Sequence, residues 1–386
     1  MTTIQTLNVP PAGVPTDVVH AAVYFGIGSM DDAPSKLGTA HFLEHLMYFE
    51  LVETLKAAGQ TYIIETAQAT TYRNGMEFSF NFLCEDAAIT EKCLLSLLKP
   101  PCVDEATFER ERAILRRELI EEESDPDFES GQREAAWLYA NPLLSRRNSG
   151  SPESIGDITL EDILALHKLA LTDRPRLVVA TDGWNPTTQA VEYDGQAIFE
   201  SIDDVATHHS GRRLAVPQRD GDPTIVLKTF GNVASFHDSL GLYLAHAYLD
   251  EKLRLVFDGV GLAYYFGTDS TSLGDTVELT LYASVDRAEL AVGEKHLQDA
   301  LQSMVEISED EYISMRAQVV KSFRLSSNDP SDNFDRIAFQ ASRWGGSIAD
   351  YEAESKQFGT YSYADFCRIV ASFGIRDKAV FTIIRG

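Results

Sequence analysis

The chain has 386 residues, enough for two domains or three at the usual domain size, and each half is long enough to bury a core. Hydrophobic residues make up 44% and charged residues 24%, which excludes a disordered chain. With 33 Lys and Arg against 59 Asp and Glu the net charge is −26, so nucleic-acid backbones and anionic membranes are repelled.

The N-terminus has no basic segment followed by an apolar one, so it does not read as a signal peptide. No run of about 18 apolar residues predicts a membrane span. Cys84, Cys93, Cys102 and Cys367 form no Cys-x-x-Cys pair, and three of them lie in or beside apolar stretches, which predicts buried free thiols rather than a disulfide framework and a cytoplasmic protein.

In chain order, residues 18–28 read as a strand, and 29–35 as a polar loop containing Pro34. An apolar helix over 38–55 ends near Gly59, and 62–83 read as paired strands turning at Arg73-Asn74-Gly75. Helices follow over 83–98, stopped by Pro100 and Pro101, and over the charged run 104–123. An irregular acidic stretch leads to a helix at 160–171 and a strand at 176–181. Residues 184–223, with scattered Gly, Pro and Asp and a His208-His209 pair, read as a connector.

The same order then returns. Strand 225–230 and helix 239–257 are followed by strands 261–267 and 276–285 and helices 287–304 and 309–325. A short helix at 363–372 and a strand at 379–384 close the chain. An internal duplication is the economical explanation. It predicts domains at 1–183 and 224–386, the second a degenerate copy without the motif described next.

That motif is His41-Phe42-Leu43-Glu44-His45. On a helix, positions i, i+3 and i+4 share one face, so both imidazoles and the carboxylate project to the same side. Two imidazoles with a carboxylate suit zinc, and three protein ligands leave a position for water. Downstream, Glu111 and Glu118 lie seven residues apart in the charged helix, close to two turns, and so share a face. Glu121, Glu122 and Glu123 are equally available as ligands by raw distance.

The run Gly28-Ser29, then Gly38-Thr39-Ala40-His41-Phe42-Leu43-Glu44-His45, resembles the inverted zincins of the pitrilysin, insulysin and mitochondrial processing peptidase family. The acidic helix, the segment Gly150–Gly183 and the later Gly261-Leu262-Ala263-Tyr264 are similar to further parts of that family, so the likeness covers nearly the whole chain. The resemblance implies an α+β protein of two tandem LuxS/mitochondrial-processing-peptidase-like α/β sandwich domains, with mostly antiparallel sheets and helices on one face. It implies a zinc metalloendopeptidase that cuts short or unstructured peptides inside a clamshell chamber. Trimming of a precursor or leader peptide is compatible with it. His41, His45 and Glu118 would be the Zn2+ ligands, Glu44 the general base, and Glu111 a supporting acid.

Peptide substrate in the family adds as a strand to a sheet edge, where the pattern Asn-Ala-x-Thr aligns with Gln68-Ala69-Thr70-Thr71. Gln replaces Asn there, which leaves backbone pairing through Ala69 intact. The family's substrate clamp, an Arg and a Tyr seven residues apart, finds Tyr264 here, but Phe257 stands where Arg is expected and Arg254 is ten residues before the Tyr. The implied partners are a peptide, basic if the acidic charge lines the site, and a second subunit in a homodimer or a heterodimer with a related peptidase subunit. A non-catalytic, peptide-binding subunit that needs such a partner is the alternative. A metal-dependent hydrolase of another substrate also fits the ligands.

Overall fold

The computed structural model describes residues 4–9, 17–181, 190–202, 205, 213–216, 222–375 and 380–386. The first half runs β1 (Ile4–Val9), β2 (Val18–Phe25), α1 (Thr39–Ala57), α2 (Thr61–Ile64), β3 (Gln68–Thr71), β4 (Met76–Leu83), α3 (Ala87–Leu97), α4 (Glu105–Ser124), α5 (Pro126–Leu138), α6 (Pro142–Ser145), α7 (Pro152–Asp157), α8 (Leu160–Thr172), β5 (Arg176–Thr181) and β6 (Ala190–Glu192). The second runs β7 (Arg213–Val216), β8 (Thr224–Asn232), α9 (Phe236–Val260), β9 (Ala263–Leu273), β10 (Thr276–Val285), α10 (Leu290–Val305), α11 (Glu309–Ser326), α12 (Pro330–Trp344), α13 (Ile348–Thr360), α14 (Tyr363–Ser372) and β11 (Phe381–Arg385).

Two mixed sheets result. One has strand order β3-β4-β2-β5-β1-β6, the other β7-β11-β8-β10-β9. Read from opposite ends, the five shared positions match. Among these five, β1 pairs parallel with β5 and β7 with β11, and the other neighbours pair antiparallel; β6 adds a further parallel pairing with β1.

The compact units are not linear. One comprises 1–124, 147–200 and 326–352, the other 125–146, 201–325 and 353–386. The boundaries expected at 183 and 224 therefore miss an exchange: α5 belongs to the second unit and α12 to the first. In the first unit, alternate residues of β2 (Val19, Ala21, Val23, Phe25) join one core with Phe42, Leu43, Leu46 and Leu51 of α1 and with residues of α3, α4 and α8. The other face of β2 meets α12, where the His20 ring stacks on Phe334 at 5.7 Å. Helices thus cover the predicted face, and α12 adds cover to the opposite one. In the second unit, Val226 and Ile383 pack with Trp137 of α5.

The sequence reading treats 124–159 as irregular and carries no element over 330–360. The buried stripe of α5 is Ser130, Glu134 and Leu138, a polar face that hydrophobic periodicity does not register. The start of α12 was legible. Asp329 accepts from the N–H groups of Ser331 and Asp332, and Pro330 follows it, an N-cap with proline at the first helical position.

All four cysteines are free, but only Cys93 is buried, and Cys84 and Cys102 are exposed. The expectation of buried thiols fails for these two because they sit at element ends rather than on apolar faces. Among the described residues no helix is long and apolar enough to cross a membrane. The His208-His209 pair and the start of the last predicted strand at Ala379 lie outside the described residues.

Candidate metal centre

Helix α1 starts at Gly38, whose φ of 92° is readily adopted by glycine, and Gly38 offers no capping side chain. The cap comes from a distance. The buried Asp32 accepts from the N–H groups of Gly38 at 2.7 Å and Ala40 at 2.8 Å, which fixes the turn that carries His41. The turn between β3 and β4 closes with Tyr72 N–H to the Gly75 carbonyl. It is held against the strand-to-helix loop by the N–H groups of Ser29 and Met30, which donate to the carbonyls of Tyr72 and Arg73. This fastens the edge strand β3 beside the first turns of α1.

His41, His45 and Glu118 each offer a ligand atom, and these atoms lie within 4.8 Å of one another. Glu118 spans the pair, with Oε1 3.6 Å from His41 Nε2 and Oε2 3.3 Å from His45 Nε2. Two ligands on one tetrahedral zinc, at bonds of about 2.0–2.1 Å, sit roughly 3.3–3.4 Å apart. The donor set suits that ion, and the two Glu118–histidine distances lie close to this spacing. Glu44 Oε2 is 3.9 Å from His41 Nε2 and accepts a hydrogen bond from Thr71 Oγ1 at 3.3 Å.

On α4 the buried stripe is Phe108, Glu111, Leu115 and Leu119. Glu118 flanks that stripe, with half of its side chain exposed. Glu111 occupies a core position as a carboxylate, and its Oε1 accepts from Arg110 Nε and Nη2. Two of the three rival acids are engaged elsewhere: Glu122 and Glu123 pair with Arg147 at 2.6 and 2.7 Å.

The electrostatics separate the groups. Burial, then the neighbouring His45, lower His41 to about 4, which keeps it neutral and available as a ligand. Burial also works against protonating His45, but Glu118, Glu44 and Glu111 outweigh it and raise its pKa. Glu118 is lowered, first by the hydrogen bond from His45, and Arg147 adds to the effect. Burial pushes Glu44 up to about 7, against the pull of His45 and the Thr71 hydrogen bond.

A cleft of about 440 Å³ is lined by His41, Glu44, His45, Tyr48, Gln68, Ala69, Thr70 and Glu118. The strand residues Gln68–Thr70, chosen from the sequence, therefore share one space with the metal-ligand candidates, on a strand at the end of its sheet. An adjoining cavity of about 230 Å³ runs past Thr71 to Asn148 and Ser149. Tyr48, Asn148, Ser149 and Asp32 are absent from the sequence-derived set, whereas Thr71 stood in the aligned segment Gln68–Thr71. Tyr264 and Arg254 belong to the second unit. Tyr264 is 72% exposed on β9, its hydroxyl 3.4 Å from Asp286, and Arg254 is exposed on α9.

Residues 12–143 match the family described as Insulinase (Peptidase family M16). Over these residues, about a third of the chain, it resembles the M16 family. It is 24% identical over 295 residues to an uncharacterized zinc protease of Mycobacterium leprae, covering 68% of this chain and 63% of that one. It is 29% identical over 176 residues to the mitochondrial-processing peptidase subunit beta of Neurospora crassa, covering 44% and 36%. A Helicobacter pylori relative, 29% identical over 156 residues (39% and 35%), is named a non-peptidase homolog. The chain spans less than two thirds of the length of each of these relatives. In fold it is similar to the crystal structure of a protease from Helicobacter pylori, with a TM-score of 0.76, 17% identity, and 99% and 96% of the two chains covered.

Proposed function

We propose that this chain is a zinc metallopeptidase of the M16 family that hydrolyses short or unstructured peptides, with His41, His45 and Glu118 as metal ligands. The observation that carries the reading is the meeting of those three donors with Glu44 and an edge strand in one cleft. Zinc held by these donors would polarise the scissile carbonyl and acidify a water. Glu44 takes the proton from that water and delivers it to the leaving amine, a role suited to a carboxyl whose affinity for protons burial has raised. Glu111 supports the site through its negative charge, which acts on His45. The substrate backbone pairs along Gln68-Ala69-Thr70, so an extended peptide is preferred over a folded one. Basic peptides are favoured by the −26 charge, and salt then weakens their cleavage.

We read the second unit as a degenerate copy of the first, supported by the shared strand order. A second functional reading, a peptide-binding subunit that needs a homologous partner, is favoured by the ten-residue spacing of Arg254 and Tyr264 and by the relatives named as a subunit and as a non-peptidase.

The test is metal analysis with a peptide-cleavage screen on wild type and Glu44→Gln. The expected result is about one zinc per chain in both, with cleavage lost in the variant. A wild type that binds no zinc overturns the reading. Zinc without cleavage, with activity restored by a co-encoded homologue, establishes the second reading instead.

A further inference from the structure

The three donor atoms come from two helices, α1 and α4, and a short segment, Arg147–Gly150, lies against both. On the α4 side Arg147 spreads its guanidinium over one helical turn. Its Nη2 donates to Glu122 Oε2 at 2.6 Å and to the Leu119 carbonyl at 3.3 Å, and its Nη1 donates to Glu123 Oε1 at 2.7 Å. Leu119 is the residue after Glu118. Arg147 Nε donates to Ser149 Oγ at 3.0 Å, and that hydroxyl donates to Glu122 at 3.3 Å.

On the α1 side the segment seats against backbone. Gly38 and Gly150 both have positive φ, 92° and 78°. A Cβ on Gly38 would lie 2.6 Å from the Ser149 carbonyl oxygen, and one on Gly150 would lie 2.4 Å from the Leu37 carbonyl oxygen. Asn148 Oδ1 accepts from Ser29 Oγ at 3.1 Å. Four residues thus bracket the start of the helix with the histidines to the turn that holds the carboxylate. The Arg147 side chain is only 10% exposed, whereas Glu122 and Glu123 are 44% and 41% exposed.

We infer that Arg147 is a positioning residue for the metal centre: its fork docks the 147–150 bracket on α4 and so sets Glu118 against His41 and His45. The inference rests on the proposed zinc reading. Only a guanidinium fits this place, because a lysine ammonium is a point charge and cannot span two carboxylates, a carbonyl and a hydroxyl from one plane. Groups that orient metal ligands from behind typically cost 10–100-fold in metal affinity when removed.

The test is zinc affinity of the full chain by competition with a chromophoric chelator, read beside the melting temperature. Arg147→Lys is expected to weaken zinc binding about tenfold or more. The double variant Glu122→Gln with Glu123→Gln, at exposed positions that the core does not depend on, is expected to weaken it in the same direction. Glu121→Gln, an exposed carboxylate on the same helix, is expected to stay within about twofold of wild type, which separates docking from simple loss of charge. A lowered melting temperature with unchanged zinc affinity in the folded variants overturns the inference, and so does a Glu121→Gln loss equal to that of the double variant. A wild type without zinc affinity refutes the metal reading itself, whereas the other failures leave that reading standing.

Discussion

In the first unit the helix that follows β2 opens Thr39-Ala40-His41, and its cap is the carboxylate of Asp32 from a preceding loop. In the second, the helix that follows β8 opens Phe236-His237-Asp238 and is capped locally by Ser235, whose hydroxyl accepts from the Asp238 N–H. Asp238 itself pairs with Arg368 at 2.6 Å. One strand plan thus supports a helix start whose polar groups face a cleft and another whose polar groups serve the helix. The buried acids differ in the same way. Glu44 lies among imidazoles and other acids, and burial carries it up to about 7. Glu134, on the polar face of α5, is also buried, but Lys228 and Arg385 overcome that burial and lower its pKa. Lys228 also bonds Glu278 at 2.6 Å, which closes a network. A buried carboxylate without a cation is available for proton transfer, and one with two cations is a fastener.

The largest expected effect breaks this comparison at its functional side. Glu44→Gln should lower peptide cleavage by about 10²–10⁴-fold with zinc content retained, measured by initial rates and metal analysis. If the rate is unchanged, Glu44 is no different in kind from Glu134. Next is the fastener. Glu134→Gln leaves Lys228 and Arg385 short of a carboxylate and should cost about 3 kcal/mol in denaturant unfolding, the lower end for a broken buried pair because Arg385 is partly exposed. Zinc affinity should not change. A smaller loss is expected for Asp32→Ala. Removing the remote cap should cost about 1 kcal/mol and also weaken zinc binding, whereas Ser235→Ala should cost a similar amount of stability with zinc binding unaffected.

The mildest probe is pH. Because the folded pKa of Glu134 lies below its unfolded value of about 4.3, its contribution is present above that value and is lost as pH falls through the lowered folded pKa. Acid unfolding curves of wild type and Glu134→Gln should therefore converge on acidification below about pH 4.3. Parallel curves would mean that Glu134 is not held ionised by its cations.

Much of this contrast was legible in the sequence. The His41–Glu44–His45 spacing needs only helical periodicity, and Gln68–Thr70 was named because Gln68–Thr71 resembles the family's Asn-Ala-x-Thr pattern. The repeat of strand, helix, paired strands and helices was visible as well, since each element carries its own periodic signal. What escaped has physical reasons in particular residues. Helix α5 buries Ser130 and Glu134, so its inner face looks like an outer one until Lys228 and Arg385 are seen opposite. Asn148 and Ser149 look like ordinary loop residues, yet they wall the cleft beside Thr71.

The sequence by itself determined which side chains share a helix face, because 3.6 residues per turn is a local rule. It therefore placed His41, Glu44 and His45 on one face, and Glu111 with Glu118 on one face. It did not decide among Glu118, Glu121, Glu122 and Glu123, which sit within six positions of one another on α4. The tertiary structure brings Glu118 to the histidines. The distance from α4 to α1 is set by packing between segments far apart in the chain, and Arg147 occupies Glu122 and Glu123 while Glu118 meets the histidines. The exchange of α5 and α12 between units is of the same kind, because where a helix docks depends on the complementary face that a distant segment offers it.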